Sequence, residues 1–374
     1  MRGCAGNSER THDIRRRRSS PWKTIWSGFW RFTRRSETES MVERLDSRET
    51  LISVIVPVHN GQNYLESCIR SIENQTCGNL EVIIINDGSV DGTVDVCGAL
   101  QAAYDNVHVI TLDDRGVSAA RNAGLDRAAG VFVTFVDADD RLHPAMLQTL
   151  SDCMTRTGSD IVGCRFFQWS DETEWEQAVR ADAAEGKTVT YNADGYLRDC
   201  LLQGNSRCWS KLYRRDAIGD MRFREGLSIG EDMLFVLKLL ARVRRITEMD
   251  YQGYGYYQNP QGAINRPFTP RYMDQITCWR LAREEVRRTD QSLDDRVSAL
   301  YLMGIMLTAG KLAELPAAQR KRYEDCVLTC RRELREIRKV PGACMRLSAG
   351  YRLKVLFFSL FPRGYMCAYH LWKR

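Results

Sequence analysis

From Leu51 onward, short unbroken apolar runs alternate with longer stretches in which apolar positions recur every three or four residues. LISVIVPV (51–58), LEVIIIN (80–86), VHVITL (107–112) and VFVTFV (131–136) are continuous and β-branched, the pattern of strands buried on both faces of a parallel sheet. Between the first two, Leu65, Cys68, Ile69 and Ile72 fall at i, i+3, i+4 and i+7, which is one face of a helix over 64–75. A second helix is predicted over 91–104, and an Ala-rich third over 116–130 closes on Gly130. This rhythm predicts right-handed βαβ units, hence an α/β fold with a mostly parallel sheet flanked by helices.

Ligands of open α/β sheets bind beyond the carboxyl ends of the strands. Polar residues stand there: Pro57, His59 and Asn60 after the first strand, Asn86, Asp87, Gly88 and Ser89 after the second, and Asp137, Asp139 and Asp140 after the fourth. VDADD (136–140) crowds three carboxylates into four residues, and their repulsion is relieved by a divalent cation, for which oxygen-only ligands point to Mg²⁺ or Mn²⁺. The bland alternative is an acidic turn capping the next helix. Asp87 is an Asx turn or an acceptor for the N–H of a nucleotide base. Arg121 is a surface arginine or a fork reaching phosphates. His59 is a packed ring or a stacking platform.

Farther on, SIGEDMLFVLKLLARV (228–243) reads as an apolar helix whose first turn holds Glu231 and Asp232, an arrangement the helix dipole favours with or without chemistry. CWSKLYRR (208–215) mixes Trp209, Lys211 and Tyr213 as an acceptor-binding edge does, and as an amphipathic strand also does.

Composition sharpens this picture in two places. The chain of 374 residues is 44% hydrophobic and 27% charged, which excludes wholly disordered and fibrous readings. The net charge of +6 is unevenly spread: residues 1–40 hold ten Lys/Arg against four Asp/Glu, residues 331–374 hold eleven against two, and the remainder is acidic. Basic ends rich in aromatics suit an anionic membrane surface better than nucleic acid, which is usually met by a basic patch on the folded domain. The thirteen cysteines lack a CxxC pair and several lie in apolar periodic stretches, so buried free thiols are expected rather than disulfides or zinc. No uncharged apolar run of 18 residues reads as a membrane-spanning helix, and the N-terminus lacks the apolar core of a secretory signal.

Taken together and in order, SVIVPVHN (53–60), INDGSVDGT (85–93), RGVSAARNAG (115–124), FVDADD (135–140), CWSKLYRR (208–215) and GEDMLF (230–235) resemble the inverting glycosyltransferases of family 2, over roughly residues 51–260. The resemblance implies a GT-A fold, with a Rossmann-like sheet and a C-terminal helical extension. It implies an N-terminal extension (1–48), a glycosyltransferase domain (49–265) and a helical C-terminal region (266–374). It further implies a nucleotide-diphosphate sugar donor, usually a UDP-sugar, held with a divalent cation (Mn²⁺ or Mg²⁺). Carried over by motif, Asp87 contacts the uracil, Pro57, His59, Asn60 and Ser89 shape the base pocket, and Arg115, Ser118 and Arg121 lie along the nucleotide. Asp137, Ala138 and Asp139 form the DxD element, with both aspartates as metal ligands. Asp232 is the general base beside Glu231. Trp209 and Lys211 face the acceptor, and Arg266 stands in for a basic residue that YGYYQNPQGAI (254–264) lacks. His59, Arg115 and Ser210 depart from the family's commoner Tyr, Asn and Asn.

The implied reaction is transfer of a hexose or N-acetylhexosamine, with inversion, to a hydroxyl of a glycan or lipid-linked acceptor in surface polysaccharide synthesis. A cytoplasmic enzyme peripheral to the inner face of the plasma membrane is expected. The tail AGYRLKVLFFSLFPRGYMCAYHLWKR reads as an interfacial helix pair broken at Pro362, or as a packed helical cap. The rival readings are a catalytically silent, nucleotide-binding scaffold and a nucleotidyltransferase, for which PVHNGQN is a poor phosphate loop.

Overall fold

The computed structural model describes residues 50–181, 186–260, 262 and 266–373, all within one compact unit, Ser47–Arg374. The expectations for the Arg/Trp-rich N-terminus and for residues 263–265 lie outside the described residues.

A single sheet runs β3-β2-β1-β4-β8-β6-β9-β5, with β7 also paired to β9. Its first half is the parallel unit predicted from the apolar runs: β1 (Ile52–Val58) lies between β2 (Leu80–Asp87) and β4 (Phe132–Phe135), and β3 (Val107–Leu112) forms the edge. All of β2 is buried, as a strand covered on both faces must be. Beyond β4 the directions alternate. β8 (Lys211–Arg214) is antiparallel to both β4 and β6 (Ile161–Trp169), whereas the long β9 (Ile246–Tyr257) runs parallel to β6 and antiparallel to β5 (Arg141–Leu142) and β7 (Thr188–Tyr191). The βαβ crossovers thus build one parallel block, and the rest of the sheet is mixed, with β6 and β9 its one further parallel pair.

Helices α1 (Leu65–Glu73), α2 (Thr93–Ala103) and α3 (Val117–Arg127) are those crossovers. The Ala-rich composition of α3 reflects close approach: a Cβ on Gly124 would lie 2.3 Å from Ile55 Cγ2, so only glycine lets the helix settle on β1. Helices α4 (Met146–Thr157), α5 (Glu172–Arg180) and α6 (Ala193–Asp199) follow, and then α7 (Glu231–Leu239).

The C-terminal region contains α8 (Asp274–Thr289), α9 (Asp294–Glu314), α10 (Glu324–Ile337), α11 (Ala349–Leu360) and α12 (Pro362–Lys373). Its first part joins the sheet's own core, because Cys278, Ala282, Val286 and Val297 cluster with Phe235, Leu239 and Tyr213. Residues 291–314 are apolar and long enough to cross a bilayer, yet most of that segment is buried among α8, α10 and α12, and packing accounts for its composition. The cysteines of the described residues are free and mostly buried, as their periodic positions predict.

Candidate active site at the strand ends

Because β2, β1 and β4 are adjacent and parallel, their carboxyl ends open on one side, and the polar residues that follow them meet there. The first two ends are knitted together. Asn60, at φ 57°, donates its N–H to Ser89 Oγ (2.9 Å) and accepts the N–H of Val90 at its own amide oxygen (2.8 Å). The His59 ring is held at both nitrogens, by the Asp87 carbonyl (2.6 Å) and by the Asn60 amide nitrogen (3.1 Å). A backbone carbonyl can only accept, so Nδ1 donates to Asp87. Pro57 precedes this loop, paired in register with Ile85.

Asp87 turns out to organise backbone. One carboxylate oxygen accepts the N–H of Arg115 and the other that of Gly116, each at 2.7 Å, so the aspartate fixes the turn entering α3. Each oxygen keeps a second lone pair for a ligand. Gly88, at φ 65°, is obligatory here: a Cβ would fall 2.5 Å from the Asp114 backbone nitrogen. Arg115 extends its side chain to Glu225 at the surface (2.9 Å), and Ser118 is buried with its hydroxyl donating to the Leu227 carbonyl (3.2 Å).

The centre of the site is Arg121. Only 4% exposed, it donates from one terminal nitrogen to Glu231 (2.8 Å) and from the other to Asp137 (3.0 Å), while its guanidinium lies over the Phe223 ring. It thereby ties the end of β4 to the start of α7, elements separated by some ninety residues of chain. Of the three carboxylates in VDADD, Asp140 faces inward. It is 1% exposed and accepts the Tyr254 hydroxyl (2.6 Å) and the Tyr257 N–H (2.8 Å), and that hydroxyl also accepts the N–H of Asp137 (3.2 Å). Asp139 accepts the Asn259 amide (2.9 Å), and Asn259 in turn meets the Tyr64 hydroxyl (3.4 Å). Burial raises the Asp139 carboxyl above its ordinary range, the Asp137 charge adds to this, and the Asn259 hydrogen bond opposes it. Ala138 packs between the two aspartates, near Gly61.

Among the described residues no group of three or more His, Cys, Asp or Glu side chains is arranged to hold a metal alone. Two strand-end carboxylates beside a diphosphate do fit one: Mg²⁺ takes one or two carboxylates and completes its shell with phosphate oxygens and water. The raised Asp139 carboxyl is the kind of group a cation would relieve.

Opposite stands the first turn of α7. Glu231 is engaged by Arg121, which leaves Asp232 as the second acid of the pair, its carboxylate accepting the Met233 N–H (2.8 Å). Burial and then the neighbouring Glu231 charge push the Asp232 carboxyl up to about 7, against the pull of Arg121. A base titrating near neutrality is well placed to take a proton from a hydroxyl.

The residues expected at the acceptor edge are more deeply set than the strand pattern suggests. Trp209 is buried and stacked on Tyr254 (4.6 Å) and Tyr256 (5.5 Å). Lys211 is fully buried on β8, its ammonium donating to Asn205 (2.8 Å), and burial lowers its pKa. Over this aromatic layer lies Arg207, its guanidinium 4.5 Å from the Phe166 ring centre and 4.8 Å from that of Trp209. Ser210, where the resemblance expects Asn, sits at φ 58° with a buried hydroxyl that finds no partner among the described residues. A left-handed position explains an Asn preference there. Arg266 is exposed, and its carbonyl accepts the Tyr272 hydroxyl (3.1 Å) and the Lys311 ammonium (3.3 Å).

The structure joins His59 to Asp87, Asn60 to Ser89, and Arg121 to Asp137 and Glu231 beside Asp232, whereas Trp209 and Lys211, expected to face the acceptor, are buried. Sequence reasoning missed Tyr254 and Asn259, whose only signal was the Tyr-rich run YGYYQNP (254–260), and Tyr64, which opens the predicted first helix and carried no signal of its own.

Residues 53–221 match the family model described as glycosyl transferase family 2. The glycosyltransferase EpsJ of Bacillus subtilis strain 168 is 29% identical over 222 residues, which is 59% of this chain and 64% of that protein. The minor teichoic acid biosynthesis protein GgaA of the same organism is 28% identical over 202 residues, covering 52% of this chain and 44% of GgaA. The chain thus spans less than two thirds of the length of these curated relatives. The structure of S. aureus TarS 1-349 in complex with UDP-GlcNAc superposes with a TM-score of 0.63 at 20% identity, over 86% of this chain and 89% of that one, which is a likeness of fold. With its sequence motifs in order and its sheet built as they require, residues 53–221 belong to glycosyltransferase family 2, on a GT-A fold.

Proposed function

We propose that the protein is an inverting glycosyltransferase that moves a sugar from a UDP-sugar to a hydroxyl of a glycan or lipid-linked acceptor in wall or surface polysaccharide synthesis. The observation that carries this reading is the Arg121 bridge, which fastens the strand-end carboxylate Asp137 to the Glu231–Asp232 turn and so sets a phosphate-side acid cluster against a candidate base. The teichoic acid role in the name of GgaA and the UDP-GlcNAc complex of TarS support the donor and acceptor classes.

In the mechanism proposed, Asp232 accepts the proton of the acceptor hydroxyl as the oxygen attacks the anomeric carbon. The bond to the diphosphate breaks on the opposite side, and one displacement inverts the configuration. Asp137 and Asp139 would hold a divalent cation, which neutralises charge on the diphosphate when bound. Glu231 and Arg121 keep Asp232 in register and hold its pKa near neutrality. The pinned His59 ring and Asp87, with its spare lone pairs, offer a base pocket.

The test is the melting temperature of the purified protein against UDP, UDP-N-acetylglucosamine and other nucleotide sugars, with and without Mn²⁺, beside Asp139→Ala. A ligand at about 100 times its Kd stabilises by roughly 2.7 kcal/mol. The reading expects a UDP compound to stabilise the wild type only with metal and the variant not at all. No response to any nucleotide under any metal condition would reinstate the silent scaffold.

A further inference from the structure

The last two helices carry a second surface, independent of the crevice. In α11, Val355, Phe358 and Ser359 are buried against the helical core, as one face of a packed helix should be. The opposite face should be polar, and it is not. Leu353, Leu356, Phe357 and Leu360 fall at i, i+3, i+4 and i+7 and are all exposed, Leu353 by 68%. The row continues across the break before Pro362 with Phe361 at 62% exposure, and Trp372 at the end of α12 is 71% exposed. An exposed apolar row this long on the surface of a folded protein marks an interaction site.

Charge selects the occupant. From Ala349 to Lys373 there is no Asp or Glu, while Arg352 and Lys354 flank the apolar row and Lys373 stands beside Trp372. Among the described residues, Arg363 alone of these cations is ion-paired, with Glu324 at 3.4 Å on α10. A second copy of this face would set like charges against each other, and the chain's own N-terminal segment is itself basic. An anionic lipid surface satisfies both requirements, taking the apolar row between its acyl chains and the cations among its headgroups. At twelve residues each, the helices are about 18 Å long, too short to cross a core of roughly 30 Å, so they lie along the surface.

We propose that α11 and α12 form an interfacial hairpin that docks the enzyme on anionic membrane, with Leu353, Leu356, Phe357, Leu360, Phe361 and Trp372 as the inserted face. The proposal stands apart from the donor chemistry and fails separately from it.

It is tested with the full-length chain by co-sedimentation with vesicles of phosphatidylcholine alone and of phosphatidylcholine mixed with phosphatidylglycerol, at low and high salt. The variants are Leu356→Glu with Leu360→Glu, and Arg352→Gln with Lys354→Gln. All four positions are exposed, and an unchanged melting temperature verifies folding. The wild type should bind the anionic vesicles and release them in high salt. The glutamate pair should abolish binding, and the glutamine pair should weaken it about thirtyfold, from about 1 kcal/mol per basic residue. Wild-type protein that ignores anionic vesicles, equal binding to neutral vesicles, or a glutamate pair that binds like wild type would each overturn the proposal. So would a dimer dissolved by the glutamate pair without vesicle binding, which would assign the face to self-association.

Discussion

The strand-end crevice and the terminal hairpin break the usual partition of residues in opposite ways. In the crevice, groups that belong in water are buried: Arg121, Asp140 and Glu231 are each less than a tenth exposed, and each is matched by a charged or hydroxyl partner. On the hairpin, groups that belong in a core are left outside, from Leu353 to Trp372, where the aromatic ones meet only other residues of the hairpin among the described residues. Burying charge costs stability unless it is paired, and exposing apolar rows costs solubility. The two regions together teach that such costs collect where a molecule meets something else, and here they collect at the two places proposed above for a nucleotide sugar and for a membrane surface.

If that contrast is right, the crevice should be fragile and the hairpin tolerant. The largest effect is expected from Arg121→Ala, which strands Asp137 and Glu231 without their cation. Loss of one partner from a buried ion pair costs about 3–5 kcal/mol, so denaturant melts should show a fall of that size together with loss of transfer. Asp232→Asn sharpens the same point by separating chemistry from stability. Turnover should drop by about 10²–10⁴-fold, as for a lost general base, while donor binding persists.

The sign of the accompanying stability change follows from linkage. The folded-state pKa of Asp232 is raised, to about 7, so the folded form binds the proton more tightly than the unfolded chain. Its contribution therefore erodes stability as pH rises from the ordinary carboxylate range through about 7, and the amide, which cannot ionise, should melt no lower than wild type at pH 8. In the wild type, kcat/KM should climb as pH rises through about 7 and then level off, since the base must be ionised to act.

The comparison also shows how far the sequence could be read. The parallel half of the sheet was legible because β1, β2 and β4 are largely buried and so run as unbroken apolar segments, and α1 between the first two keeps a single apolar face; β3, read as buried on both faces, is the edge strand and is mostly only half-buried. The antiparallel half was not, because β8 is four residues long and β9 draws its partners from β5, β6 and β7, pairings that leave no periodic trace. At the site, residue types and strand ends together announced Asp87, Asp137 and Asp139, while Asp232 was singled out by the family resemblance. What stayed hidden was direction: Asp140 turning inward to Tyr254, Asp87 spending lone pairs on the backbone of 115 and 116, and Lys211 pointing into the core. Among the described residues the three non-glycine residues at positive φ, Asn60, Asp114 and Ser210, lie in the loops that frame the crevice or lead into β8, and only geometry could reveal them.

Smaller effects complete the series. Gly88→Ala forces a Cβ against the Asp114 backbone and a left-handed φ on alanine, so a loss of about 1–3 kcal/mol in chemical denaturation is expected. At the other end of the scale, Leu356→Ser removes an exposed side chain from the hairpin and should leave the melt within about 0.5 kcal/mol of wild type. A larger loss there would mean the hairpin face is structural and the contrast false.

The central claim is that Asp232, held by the Arg121 bridge, is the base of a sugar transfer fed from the strand-end crevice. Release of UDP from UDP-N-acetylglucosamine by wild type and Asp232→Asn, with donor affinity measured on the same samples, tests it most directly. The account predicts equal affinity in the two proteins, turnover in the wild type that rises through about pH 7, and turnover in the variant reduced by at least about 10²-fold. A variant that binds the donor and releases UDP at the wild-type rate and with the wild-type pH profile would contradict it.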